Sequence, residues 1–313
     1  MSSSRYRVVI ADCNFPSDRL EREELRNVAS VERFQCETES EVIAAAENAD
    51  GLIVQYAPVT ETVLNALPQL RVISRYGIGL DMIDVEAAKR RNIPVFNVPD
   101  YCLEEVSDHT VALIFSVLRK IRFFTEKVRS GVWSSETKGT VRRFKDATIG
   151  LLAFGNIARR TAEKLTCFGC KILAYDPAAE DADIRKYGVE PVSFDVCVSN
   201  ADVLSIHVPL NRHTRHMINR DVFAKMKPGA FIVNTSRGGL IDEDAMYEAL
   251  KEGTLEGAAL DVLETEPPDR NSPLFQLDNV IITPHVGFLS ESSMDELQRR
   301  TARAVGDYLK EQG

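Results

Sequence analysis

The chain has 313 residues, with 38 Lys and Arg against 47 Asp and Glu, for a formal charge of −9. Apolar residues at 44% and charged residues at 27% are ordinary for a globular protein, which excludes disorder, collagen and coiled coil as whole-chain descriptions. The acidic balance argues against general nucleic-acid affinity, which rests on clustered Lys and Arg, and no run approaches the ~20 apolar residues of a membrane span.

Met1-Ser2-Ser3-Ser4-Arg5 leads straight into a strand-like run without a secretory apolar region, so a cytoplasmic protein is expected. Strands are predicted at Arg7–Ala11, Gly51–Gln55, Arg71–Arg75 and Ile93–Asn97. One long helix is predicted from about Glu104 through Val111, Ile114, Leu118 and Ile121 to about Ser130, on apolar steps of three and four. A second series of strands follows at Thr148–Ala153, Lys171–Tyr175, Val203–His207, Ala230–Asn234, Gly257–Leu260 and Val280–Thr283, then a last helix from Glu291 to Leu309. Strands alternating with helices indicate βαβ units and parallel sheets. Two such series suggest two doubly wound α/β domains: a discontinuous one, 1–102 plus 287–313, enclosing a continuous one at 103–286.

The six cysteines are too scattered for a disulfide framework. Cys167-Phe168-Gly169-Cys170 falls on an expected helix-to-strand turn and lacks the second pair a zinc site needs. Glu105 and His109 are four apart on a helix without a third ligand, which reads as surface pairing rather than metal binding. His213 and His216 read as a solvated loop, and Glu264 as exposed.

Thr148 to Ala158 reads as strand, tight turn and helix, with Ala153-Phe154-Gly155-Asn156-Ile157-Ala158 in the place of a Gly-x-Gly-x-x-Gly/Ala dinucleotide fingerprint. Gly155 stands where backbone approaches a pyrophosphate at a helix N-terminus. Ala153 departs from the pattern, because glycine normally makes that turn. Asp176 lies 21 residues after Gly155, at the end of the next strand, where an acid binds the adenosine ribose hydroxyls. Pro177-Ala178-Ala179 offers no cation for a 2′-phosphate, so NAD is expected over NADP.

Three later strands end in polar residues: Asn234-Thr235-Ser236-Arg237-Gly238-Gly239, Asp261-Val262-Leu263-Glu264-Thr265-Glu266-Pro267 and Thr283-Pro284-His285-Val286-Gly287. Ligands sit beyond the carboxyl ends of strands in such sheets. An Arg, a Glu and a His near a dinucleotide site suggest hydride transfer coupled to proton transfer.

These motifs, with Arg75-Tyr76-Gly77-Ile78-Gly79 and Asn97-Val98-Pro99, resemble the D-2-hydroxyacid dehydrogenase family over essentially the whole chain. The run from Pro99 to Thr110 is similar to the C-terminal-binding-protein branch, with phosphoglycerate dehydrogenases a nearby alternative. The resemblance implies two Rossmann- or flavodoxin-like domains with an active-site cleft between them, and a homodimer. It implies His285 as general acid/base, Glu266 as its partner, and Arg237 on the substrate carboxylate, which Gly77 and Ile78 also hold. Arg75, Tyr76 and Phe288 are pocket candidates, with Arg75 facing either a second anionic group or a nearby acid. On the NAD side stand Gly155, Asn156, Ile157, Asp176, Asp261 (to the nicotinamide amide), Thr235, Ser236, Gly287, and the backbone at His207 and Pro209. The ligand is then a small 2-keto or 2-hydroxy acid; the alternative is an NAD(H)-sensing, co-repressor-like interaction protein.

Overall fold

The computed structural model describes residues 6–137 and 139–312. The expectation drawn from Met1 to Arg5 lies outside the described residues. Two compact units form, Met1–Tyr101 with Ser290–Gly313, and Cys102–Leu289.

The first unit holds a parallel sheet of β1 (Tyr6–Ile10), β2 (Ala29–Arg33), β3 (Gly51–Val54), β4 (Val72–Arg75) and β5 (Val95–Phe96), in the order β2-β1-β3-β4-β5. The central strands β3 and β4 are buried along their whole length because both faces are covered, β3 being apolar throughout and β4 ending in buried Ser74 and Arg75. The helix Glu291–Glu311 lies on β3, β4 and β5 and buries Leu297, Ala302, Val305 and Leu309 at helical spacing. It approaches so closely that a Cβ on Gly51 would sit 2.9 Å from Val305.

The second unit holds seven parallel strands: β6 (Thr148–Leu152), β7 (Lys171–Tyr175), β8 (Glu190–Pro191), β9 (Val203–Ile206), β10 (Ala230–Asn234), β11 (Leu255–Leu260) and β12 (Val280–Ile282). Their order, β12-β11-β10-β9-β6-β7-β8, reverses direction between β6 and β9. That reversal opens a crevice at the carboxyl ends of those two strands, the general location of ligands in open α/β sheets.

The long helix expected to reach Ser130 is two helices, Leu103–Leu118 and Ile121–Arg129. Lys120 breaks it in the left-handed region, at φ 51°, with its ammonium 2.5 Å from Glu256. The first helix packs on the helix Asn156–Thr166, β10 and β11 and buries Val106, Thr110, Leu113, Ile114 and Val117, whereas the second has no buried residue.

Candidate active site

β6 runs into Ala153, whose φ of 70° is the left-handed turn that glycine ordinarily makes. Its N–H donates to Tyr175 O at 2.8 Å. Gly155 then opens the helix Asn156–Thr166 with no side-chain cap, so the N–H groups of its first turn keep their capacity for an anion. A Cβ on Gly155 would meet nothing within 4 Å, which leaves clear space over this helix end. The Asp176 carboxylate accepts from Phe154 N at 2.7 Å and Ala178 N at 2.8 Å, tying the turn after β7 to the loop after β6. A clear backbone approach, an uncapped helix start and an acid at the neighbouring strand end together fit a dinucleotide.

Beside this loop, His207 N donates to Leu152 O at 2.9 Å, and its ring lies 3.0 Å from Ser205 Oγ. Burial of the ring pushes its pKa down to about 4, so it is neutral near pH 7. Pro209 follows on the exposed side of this turn.

The turn after β10 is organised by Asn234, which is fully buried and was assigned no role from the sequence. Its Oδ1 accepts from Ser236 N at 3.0 Å and its Nδ2 donates to Arg237 O at 2.8 Å, an Asx turn that aims the Arg237 side chain. Ser236 Oγ donates to Ile206 O at 2.8 Å, and Thr235 pairs with Thr110 at 2.8 Å, so both hydroxyls fasten this turn to its neighbours. A Cβ on Gly238 would fall 1.9 Å from the Leu263 carbonyl carbon. Only glycine permits this approach, which sets Arg237 against the loop bearing Glu266.

In that loop, Leu263 N donates to Glu266 Oε1 at 2.9 Å, while Glu266 Oε2 lies 2.7 Å from His285 Nδ1. Burial raises the Glu266 pKa, but the His285 bond and charge, the Leu263 N–H and the Arg237 charge outweigh it and hold it below the usual carboxylate value. His285 sits at φ 53°, with its N–H on Asp261 O at 2.8 Å and its ring edge-on to Phe288 at 6.2 Å. With Nδ1 occupied by Glu266, Nε2 is the ring nitrogen left for proton exchange with a ligand.

Asp261 is held by its own neighbours in the protein. Its buried carboxylate accepts from Thr283 Oγ1 (2.5 Å), Val286 N (3.0 Å) and Gly287 N (2.8 Å). Burial raises its pKa, and these donors together with His109 bring it below the usual value. His109 also reaches this cluster, with its Nε2 3.0 Å from Thr283 Oγ1. Glu264 is not merely exposed, for it pairs with Arg215 and, at 2.8 Å, with His216.

In the first unit, Gly77 adopts φ 132° under the Arg75 guanidinium, whose NH1 would lie 1.7 Å from a Cβ there. Arg75 Nε donates to Gln55 O at 3.2 Å and its guanidinium lies 6.0 Å from the Tyr56 ring centroid. Asn97 Nδ2 donates to Ile78 O at 2.6 Å, so this turn is held from β5. The Tyr76 side chain corrects the pocket expectation: it is 2% exposed, packs edge-on against Phe15, and donates its hydroxyl to Glu21 at 2.7 Å. An apolar ring with a satisfied hydroxyl belongs in the core.

The family described as D-isomer specific 2-hydroxyacid dehydrogenase, NAD binding domain, matches residues 111–287. A hydroxypyruvate reductase of Thermotoga maritima is 39% identical over 99% of both chains. A D-3-phosphoglycerate dehydrogenase of Methanocaldococcus jannaschii is 39% identical over 91% of this chain, which spans only 54% of that relative. The D-lactate dehydrogenase of Aquifex aeolicus, solved with NAD and lactic acid, matches with a TM-score of 0.90 at 29% identity, over 97% of this chain and 96% of that one. The chain belongs to the D-isomer specific 2-hydroxyacid dehydrogenase family, as an NAD-dependent enzyme whose nucleotide-binding domain lies in its second unit.

Proposed function

We propose that the protein interconverts a small D-2-hydroxy acid and its 2-keto acid, with hydroxypyruvate or glyoxylate as the class of keto acid reduced. The names of the relatives, among them a glyoxylate reductase of Thermofilum pendens at 38% identity, support that class. The observation that carries the mechanism is the 2.7 Å bond between His285 and a Glu266 carboxylate whose other oxygen is anchored by backbone.

NAD, when bound, supplies or accepts the hydride at C2. His285 Nε2 would take the C2 hydroxyl proton in oxidation and return it to the carbonyl oxygen in reduction. Glu266 would fix the ring tautomer and stabilise the imidazolium. Arg237 would grip the substrate carboxylate as a planar fork that lysine cannot copy. Asn156 and Ile157 would hold the pyrophosphate, and Asp176 the adenosine ribose. The relatives named are reductases and dehydrogenases, which favours catalysis over the NAD(H)-sensing alternative.

A homodimer fits the helix Ile121–Arg129 and the segment after it. Ile121, Val128, Val132 and Trp133 are exposed there, Trp133 at 90%, and a second copy of this chain would cover them. Among the described residues no helix is long and apolar enough to cross a membrane.

The test is NADH oxidation with hydroxypyruvate and glyoxylate by the wild type and by Arg237→Lys and His285→Ala. Turnover in the wild type, a KM for the keto acid raised at least about tenfold in Arg237→Lys, and loss of turnover in His285→Ala are expected. Normal turnover in His285→Ala would refute the assignment.

A further inference from the structure

The Thr283 hydroxyl has one proton, and its position determines the state of its neighbours. Asp261 is buried and its pKa is held down, so its carboxylate is an acceptor only. At 2.5 Å from Asp261 Oδ1, Thr283 must give that oxygen its proton. Thr283 Oγ1 can then only accept from His109 Nε2, 3.0 Å away, which requires the His109 proton on Nε2; the same nitrogen lies 3.4 Å from Asp261 Oδ1, so its proton faces both partners. The chain of donors runs from His109 through Thr283 to Asp261.

With Val286 N also bonded, both lone pairs of Oδ1 are used, while Oδ2 takes Gly287 N and retains one among the described residues. Asp261 thus grips the two residues after His285 by their backbone, and its own carbonyl accepts the His285 N–H at 2.8 Å. These bonds enclose His285 on both sides and hold it at φ 53°, a conformation that persists only when its surroundings impose it. Gly287 packs against both ends of the relay: a Cβ there would lie 2.9 Å from Asp261 Oδ2 and 3.5 Å from His109 Cδ2.

We infer that His109 and Thr283 form a donor relay that locks the Asp261 carboxylate and, through it, the turn carrying His285, making both positioning residues for the reaction. The relay also directs the remaining acceptor capacity of Asp261 to Oδ2, where an amide donor of the nicotinamide would be received. The inference rests on the proposed role of His285, but its proton arrangement is independent of that role.

The test pairs disruptive with conservative variants: Thr283→Val against Thr283→Ser, and His109→Leu against His109→Gln, whose amide nitrogen replaces the Nε2 donor. With hydroxypyruvate and NADH, Thr283→Val and His109→Leu are expected to lose kcat about 10- to 100-fold. The KM for hydroxypyruvate should stay near the wild-type value while the thermal midpoint falls, because a buried carboxylate loses a donor, and Ser and Gln should restore most of the rate and of the midpoint. Undiminished kcat in the disruptive pair, or equal losses in the conservative pair, would overturn the relay. A second readout needs no turnover: in protein labelled with ¹⁵N-histidine, the signal that disappears in His109→Leu should be protonated at Nε2 at about pH 9. A proton on Nδ1 alone would overturn the relay. Absence of turnover with any keto acid in the wild type would instead defeat the reading of His285, and leave the nitrogen signal to decide the relay.

Discussion

At His285 and Ala153 the backbone adopts positive φ, which costs a residue bearing a Cβ about 1–2 kcal/mol. At Ala153 the conformation serves only the turn, so Ala153→Gly should raise stability by roughly 0.5 kcal/mol after the entropy of the added glycine is subtracted; a lower urea midpoint would contradict this. Gly155→Ala is its complement. Its φ of −73° and the open space around it predict an unchanged or slightly raised melting temperature, with NADH affinity reduced at least about tenfold. Calorimetry and NADH fluorescence titration separate the two effects. Glu266 and Asp261 both have folded-state pKa values below their ordinary ones. Their stabilisation is complete above the ordinary carboxylate range and is lost as pH falls through the lowered values. Glu266→Gln should therefore flatten the acid side of the melting-temperature profile, and an unchanged acid slope would contradict that. The family and its NAD-binding domain were legible in the sequence because the Asn234–Gly239, Asp261–Pro267 and Thr283–Gly287 motifs rest on residue type and spacing, and the structure brings Glu266 and His285 of that set within 2.7 Å. The contact between His109 and Thr283 was not legible, because a hydrogen bond between side chains 174 residues apart leaves no local pattern.

Among the elements, buried strands such as β3 and β10 read as short apolar runs in the sequence. β2 is an edge strand whose exposed Ser30 and Glu32 alternate with buried Ala29 and Val31, and it lacks such a run. The break at Lys120 carries neither Gly nor Pro and coincides with an ion pair to Glu256, distant in sequence, so periodicity alone extended the helix past it. The proposed role of Asp176, at the end of β7, is to set cofactor choice, because its charge opposes a 2′-phosphate. Asp176→Ala is expected to weaken NADH binding and to improve NADPH relative to NADH by about tenfold. An unchanged preference between the two would place the discrimination elsewhere.

For the whole molecule, the two units build the same kind of sheet for different tasks. The second ends its strands in the phosphate loop, the acid and the His285–Glu266 pair, while the first ends β4 in a turn stretched under a guanidinium. Trp133→Glu combined with Ile121→Glu should convert a dimer into a monomer by light scattering, and a monomeric wild type would refute the proposed face. The most direct measurement is the rate of NADH oxidation with hydroxypyruvate by the wild type and by His285→Ala at equal concentration, with NADH binding confirmed in both. Rapid turnover in the wild type, reduced about 10²- to 10⁴-fold in His285→Ala with NADH still bound, is the expected result. Equal rates in the two proteins, or no reduction of any small 2-keto acid by an NADH-bound wild type, would contradict it.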